Sequence, residues 1–293
     1  MKTNYLQPNY YFELKNNTFA GYMKKRVFLF FALIVAISIS SCKSEFERIR
    51  TNPNPDIIYD KSMDYYKKGD FEKAQILMEQ ILGNFKGRSK AEPLYFNFAN
   101  THYQLGNFIS SAGYFKSFSQ TFPTSNNREE ADFMTAMSYY KMSPNYRLEQ
   151  TNSEKAIDEF QIFVNTHPKS TRIDDCNKKI DELRAKLEQK AYEEGVLYYD
   201  LKNYQSAVQS FENLLKDFPE TRHAEKVRYM ILKASFLYAE NSIYEKQADR
   251  YQAAMKKYDD FKNKYPKSKY DNEIKEMVVI SQNKLKTFKD VRY

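Results

Sequence analysis

Hydrophobic and polar positions alternate on a helical period in this chain, and the period itself comes back. Between Tyr204 and Pro219 the residues Ala207, Phe211, Leu214 and Phe218 stand three and four apart, which is one face of an α-helix. Pro219 ends the run, because proline disfavours the α conformation in the residue before it and donates no backbone hydrogen bond. The same spacing recurs as Phe108, Ser111, Phe115, Phe118 and Phe122-Pro123, as Ala156, Phe160, Phe163 and His167-Pro168, and as Tyr251, Ala254, Tyr258, Phe261 and Tyr265-Pro266. An earlier copy, Phe71, Ala74, Met78, Ile81 and Phe85, has Lys86 in place of the proline. Upstream of each copy lies a second helical segment with a small residue and then, usually, an aromatic pair: Ser62 with Tyr65-Tyr66, Ala99 with His102-Tyr103, Ala136 with Tyr139-Tyr140, Gly195 with Tyr198-Tyr199 and Ala234 with Leu237-Tyr238. The unit is therefore helix-turn-helix, Gly69 and Gly106 mark turns, and small residues on both helices (Ala136 with Ala156, Gly195 with Ala207) let the axes approach.

This pattern resembles the tetratricopeptide repeat, most closely at Tyr65, Gly69-Asp70-Phe71 and Ala74, and at Ala99, His102, Gly106-Asn107-Phe108. It predicts an all-α fold, a right-handed solenoid of five tetratricopeptide (helix-turn-helix) repeats with a C-terminal capping helix. Repeats one to three occupy residues 56–171, and a long linking helix, repeats four and five and the cap occupy 172–288. Thr171 to Asp200 has no proline and keeps Ile173, Ile180, Leu183, Leu187 and Tyr192 in helical register, so one long helix is expected there, with a kink near Asp181 as the alternative. Tyr270 to Phe288 reads as the cap, the wet-faced helix that an open-ended repeat array requires. The third and fifth copies hold about eight extra residues between their helices, around Ser143–Arg147 and Asn241–Glu245. Long loops are expected at both, either contacts for a partner or tolerated insertions.

The start of the chain departs from this pattern. Residues 1–22 are polar and aperiodic, and read as an extension upstream of a true start at Met23. Met23-Lys24-Lys25-Arg26, the apolar run Val27–Ile39 and Ser40-Ser41-Cys42 then give the basic head, apolar middle and small-residue end of an export signal over residues 23–41, too short to span a bilayer comfortably. Ile39-Ser40-Ser41-Cys42 resembles a bacterial lipobox, which implies cleavage before Cys42 and diacylglycerol on its sulfur, so that the protein is anchored to a membrane rather than spanning it. An ordinary secretory signal with an incidental cysteine is the alternative. Residues 42–55, with Asn52-Pro53-Asn54-Pro55, read as an irregular tether.

Composition and charge change this picture little. Trp is absent and Gly numbers 7, against 25 Tyr and 22 Phe, as suits helices packed through aromatic rings. The net charge of +8 falls to +4 once residues 1–41, with five basic side chains and one acidic, are set aside. That balance gives no reason to invoke nucleic acid. Candidate chemistry is sparse. His102, His167 and His223 are widely separated, and the first two replace packing residues of other copies. Cys176 has no second thiol once Cys42 is acylated, and Asp174 and Asp175 raise its pKa rather than activate it. No phosphate loop, nucleophile elbow or metal-ligand spacing is found, so neither cofactor nor metal is expected and the chain is not read as an enzyme.

What remains is surface. The first helices carry two aromatic series seven residues apart: Tyr59, Phe96, Phe133 and Tyr192 with Ile231 in the last copy, and Tyr66, Tyr103, Tyr140, Tyr199 and Tyr238. Two turns of helix bring both members to one face. Either they pack between repeats, or part of them lines a groove for an extended peptide, for which rings offer large area at low entropy cost.

With the lipobox, five repeats and the aromatic-Pro-x-Ser/Thr endings at Phe122–Ser125, His167–Ser170, Phe218–Thr221 and Tyr265–Ser268, the chain resembles the BamD family, lipoproteins of the outer-membrane β-barrel assembly machine. The resemblance implies a protein anchored through Cys42 on the periplasmic face of the outer membrane. It implies binding to the POTRA domains of a BamA-like barrel subunit, and help in recognising and inserting unfolded β-barrel proteins. It makes Tyr59, Tyr66, Phe96, Tyr103, Phe133 and Tyr140 candidates for substrate peptide, and Tyr244, Lys246, Arg250, Lys256 and Lys257 candidates for the partner. A periplasmic repeat lipoprotein that scaffolds cell-wall synthesis or division shares the anchor and the repeats, and is the alternative.

Overall fold

The computed structural model describes residues 44–290; the expected signal segment and Cys42 lie outside the described residues. Among the described residues regular structure is entirely helical. Contacts divide the chain into two compact units, the first ending at Thr101 and the second beginning at His102.

In the first unit, part of the expected tether is folded. Ser44 accepts the Glu47 amide at 3.2 Å and starts α1 (Glu45–Arg50). Ile49 is buried, Phe46 meets Tyr65 edge-on at 6.0 Å, and Gln80 donates to the Arg50 carbonyl at 3.0 Å. α2 (Pro55–Lys67) begins where Asn54 accepts the Asp56 amide and Pro55 takes the first turn, where its missing N–H costs nothing. Gly69 at φ 79° reverses the chain into α3 (Phe71–Ile81), capped by Asp70. α3 buries Ala74, Leu77, Met78 and Ile81 on the predicted face. Lacking the proline of the other copies, it runs on into a 3₁₀ turn, Leu82–Phe85, that buries Phe85. α4 (Ala91–Gln104) buries Leu94, Phe98, Ala99 and Thr101.

The second unit holds α5 (Phe108–Thr121), α6 (Arg128–Met142), α7 (Thr151–Thr166), α8 (Ile173–Asp200), α9 (Tyr204–Asp217), α10 (Ala224–Glu240), α11 (Tyr244–Lys264) and α12 (Asp271–Asp290). α8 is one unbroken helix of 28 residues. The four residues before proline, Phe122, His167, Phe218 and Tyr265, all leave the α region at φ between −120° and −129° and donate to the carbonyl four residues back at 2.8 Å. In three of them the ring also folds onto the ring four residues earlier: Phe122 on Phe118, His167 on Phe163 and Tyr265 on Phe261, at 5.0 to 5.2 Å. The small residues act as expected. Ala136 and Ala156 are fully buried together, and a methyl group on Gly195 would lie 2.5 Å from the Phe211 ring.

Two expectations are corrected. Of the long loops, the one in the third copy exists, Ser143–Gln150 between α6 and α7, held by Gln150 donating to the carbonyls of Asn145 and Leu148. In the fifth copy only Asn241–Ile243 separate the helices. The extra residues extend α11 to 21 residues, because Tyr244, Gln247, Ala248 and Tyr251 continue helical spacing with no glycine or proline to interrupt it. The fifth copy is also offset by two residues. Tyr229, not Ile231, occupies the first aromatic position, stacked on Tyr270 at 3.9 Å, and Phe236, not Tyr238, meets Tyr251 as Tyr199 meets Tyr204. Ile231 faces the preceding repeat among Ala207, Phe211 and Leu214. Leu232 stands where the other copies have a small residue, so alignment on Ala234 misplaced the register.

α12 buries Ile274, Met277, Ser281 and Phe288 against α10 and α11, while Val279 and Ile280 are exposed on its far side. Lys233 and Tyr229 of α10 both bond Glu273 of α12, which holds the Glu273 carboxyl below its ordinary range.

Candidate functional site

The aromatic faces of the first helices were the sequence's strongest surface signal, and every one of the six candidate rings is half-buried. In the first unit Tyr59 rests on Phe85 at 5.2 Å, with the Lys90 ammonium 4.6 Å from its ring centre. Lys90 is itself fixed to Asp56 at 2.7 Å. Burial pushes the Tyr59 phenol up, and the Lys90 charge offsets part of that rise. One face of α2 further along, Tyr66 sets its ring edge-on to Phe71 at 5.7 Å and its hydroxyl accepts from Asn100. Phe96 lies on α4, half-buried.

In the second unit Tyr103 meets Phe108 edge-on at 5.3 Å. Phe133 packs on Phe163 at 5.7 Å and carries the Arg172 guanidinium at 4.3 Å. Tyr140 shares Phe160 with Phe133, donates its hydroxyl to Glu182 at 2.7 Å, and has the Lys179 ammonium 5.3 Å from its ring. That hydrogen bond, then burial, pushes the Tyr140 phenol up to about 12. Lys179 also opposes the burial-driven rise at Tyr103, so one ammonium of α8 serves two rings of the second series. Phe133 and Tyr140 thus each meet a cation at or in α8, and all three rings stay half-buried.

The recurring cation was missed from sequence. Lys90 on Tyr59, Arg172 on Phe133 and Lys226 on Tyr192 form one series, each at or beside the start of the next repeat's helix. A basic residue close to each helix start was the available signal. The role of the Ser/Thr endings was missed too. Ser170 donates to Glu129, Thr221 to Glu188 and Ser268 to Glu225, while each hydroxyl accepts the amide two residues on. Each of these three endings therefore clamps the chain leaving a helix pair to the first helix of that same pair.

The C-terminal candidates all lie on α11. Tyr244 is 55% exposed with its ring 5.0 Å from Phe288, and Lys246 and Lys256 are exposed. Arg250 and Lys257 are engaged within the chain: Arg250 stacks 3.9 Å over Tyr238 and donates to Ser242, and Lys257 pairs with Glu212.

The polar residues outside these faces pack. His167 bonds Asp132 at 2.8 Å, and His102 lies 4.8 Å from Tyr114. Cys176 is buried, and burial followed by Asp175 pushes its thiol up to about 11. Among the described residues no three His, Cys, Asp or Glu gather as metal ligands, and no helix is long and apolar enough to cross a membrane.

Known proteins resemble this chain. The outer membrane protein assembly factor BamD of Pasteurella multocida is 21% identical over 209 residues, 68% of this chain and 79% of the relative. BamD of Rickettsia prowazekii is 19% identical over 212 residues, 72% and 84% of the two chains. Among solved structures, the tetratricopeptide-repeat domain of P58(IPK) matches with a TM-score of 0.39 and 16% identity, over 80% of this chain and 66% of that one. A tetratricopeptide-repeat family model matches residues 234–268, the second half of α10 through the ending of α11. The model of the family described as YfiO, outer membrane lipoprotein, spans residues 52–235, well over half of the chain, and to that family the chain belongs.

Proposed function

We propose that the chain is a lipid-anchored scaffold of the outer-membrane β-barrel assembly complex, which binds the POTRA domains of the barrel subunit and assists recognition and insertion of unfolded β-barrel proteins. The observation that carries this reading is the family match over residues 52–235, joined to two relatives whose names are those of outer membrane assembly factors. Physical features support it. The half-buried rings of Tyr59, Tyr66 and Phe96 in one unit, and separately those of Tyr103, Phe133 and Tyr140 in the other, each suit an extended segment whose side chains alternate between apolar contact and solvent. On α11, the exposed Tyr244, Lys246 and Lys256 are offered to the barrel subunit, with Arg250 and Lys257 completing the set by exchanging their internal partners for external ones. Cys42 carries the lipid and holds the chain at the periplasmic face.

Affinity purification of the membrane-extracted protein with mass spectrometry of its companions tests the proposal. A POTRA-containing barrel protein in near-stoichiometric yield is the expected result. Cell-wall enzymes without that barrel protein would overturn it in favour of a cell-wall scaffold.

A further inference from the structure

The length of α8 leaves one helix face without its usual cover. The first half of α8 packs on α7 through Cys176, Ile180 and Leu183, and its second half pairs with α9 at Gly195. Because α8 runs 28 residues without a turn, no second helix is inserted between these halves. The other junctions of the second unit show what is missing. In the third repeat Thr135 and Ser138 of α6 are buried, and Ser138 hydrogen-bonds Ser111 of α5 at 3.1 Å. In the fifth, Ile231 and Ala234 of α10 are buried against α9. The same two places in the fourth repeat carry Glu194 and Leu197, both exposed. Leu197 is 55% exposed and Leu201, one turn on, 67%.

The second helices agree. Lys116 of α5 pairs with Glu159 of α7, and Glu212 of α9 pairs with Lys257 of α11. Ser210 of α9 holds the place of Glu159 and Lys257, and there it lines an open cleft of about 400 Å³ with Glu194, Tyr198, Ser206, Asn213 and Asp217. Both charges lining the cleft, Glu194 and Asp217, are negative. Lys190, one turn before Glu194, donates instead to the Leu148 carbonyl at 2.7 Å.

Shape and charge together identify the occupant. In this array such a face is covered by an α-helix, and Ala191 to Leu201 present about 15 Å of it, room for three turns of a partner helix. A helix lying there takes water from Glu194, and a carboxylate that loses water without gaining a cation is costly. Lys or Arg must therefore face Glu194 and Asp217, and apolar side chains must face Leu197 and Leu201.

We propose that this face is a docking site for a basic amphipathic α-helix of a partner protein, seated where the second helix of a preceding repeat would lie. This goes beyond the assembly reading and does not depend on it.

The test places the photo-crosslinker benzoyl-phenylalanine at the exposed Leu197 position of the full-length chain, in cells that produce it, and maps the crosslinked residues by mass spectrometry. The expected adduct is a single partner segment with Lys or Arg and apolar residues at helical spacing. Glu194→Gln with Asp217→Asn, both at exposed positions, should cut its yield at least about tenfold without unfolding the chain. Glu194→Lys with Asp217→Lys should abolish it, and exchanging the mapped basic residues of the partner for Glu should then restore it. An adduct with a second copy of this chain, one with an acidic or extended segment, a yield indifferent to the charge variants, or no adduct at all overturns the proposal. The co-purification experiment still decides the assembly reading by itself.

Discussion

The hydroxyl of Ser170 donates to the Glu129 carboxylate at 2.6 Å and accepts the amide of Arg172 at 3.1 Å, so one oxygen both turns the chain after Pro168 and ties it to the start of α6. Thr221 repeats this with Glu188, and Ser268 with Glu225. Thr221 is the most enclosed of the three, 8% exposed, and gives the sharpest test. Thr221→Val keeps the shape and loses both hydrogen bonds, so it should destabilise the second unit by about 1–2 kcal/mol, while Thr221→Ser should stay close to the parent. Urea titrations of the two variants decide the point. Equal midpoints for Val and Ser would show that the clamp contributes nothing.

Gly195 faces Phe211 at a distance no side chain tolerates. Alanine would gain about 1 kcal/mol of helix propensity in α8. It would also force a methyl to 2.5 Å from a fully buried ring, and overpacking of that kind costs about 1–3 kcal/mol. Packing should win. Gly195→Ala is expected to lower the melting temperature, and Gly195→Ala with Phe211→Leu to recover part of the loss. A stabilised single variant would mean that the α8 and α9 axes separate freely.

Lys202 sits at φ 58°, in the turn position that Gly69 and Gly106 hold in the first two repeats. A side chain there costs about 1–2 kcal/mol, of which glycine's larger unfolded-state entropy takes back part. Lys202→Gly should therefore raise stability by about 0.5 kcal/mol and Lys202→Ala should not. Calorimetry on both variants separates relief of backbone strain from loss of the lysine charge.

That turn shows how much of the fold could be read beforehand. Helix spacing, small residues and prolines specified each pair, because they act through local sterics that repeat with the sequence. Tyr204-Gln-Ser-Ala207 marked the fourth repeat even though Lys202 had replaced its glycine. The fifth repeat was misread because Ala234 imitates a small residue of the contact, while the real contact position carries Leu232; Glu225, bonded to Ser268 as Glu188 is to Thr221, marks the register together with Tyr229 and Phe236. The aromatic faces were legible as spacing. Their state was not, since Lys179 reaches Tyr140 from a helix 39 residues along the chain, and no local pattern records such an approach.

Glu273 carries a titration experiment. Its bonds to Lys233 and then to Tyr229 lower its folded pKa beneath the value it has in the unfolded chain. Its contribution is therefore present above the ordinary glutamate value of about 4.3 and is lost as pH falls through the lower folded value, where both states bind the proton. Glu273→Gln should flatten that part of the acid limb of stability, and at pH 7 should loosen α12 by about 0.5–1 kcal/mol, the ion pair being partly open to solvent. Hydrogen exchange of α12 amides at pH 7 and pH 3.5 reads both effects. Exchange that is equally protected in the parent and the variant at both values would show that α12 docks by its apolar face alone.

Tyr103 and Tyr140 provide the test of the proposed peptide-binding face. Each ring is half-buried, and truncation removes its exposed surface as well as its contacts to Phe108 and Phe160. Structural damage therefore has to be separated from lost binding. Tyr140→Phe removes the bond to Glu182 and keeps the ring; if the ring face recognises a peptide, affinity for an unfolded barrel segment should change less than about twofold. Tyr103→Ala with Tyr140→Ala should weaken it by about tenfold or more, as rings at the centre of an interface do. Circular dichroism melts of the same proteins show whether the helices survive. Full affinity in a folded double variant would remove Tyr103 and Tyr140 from the binding face and leave the first unit, with Tyr59, Tyr66 and Phe96, as the place to look.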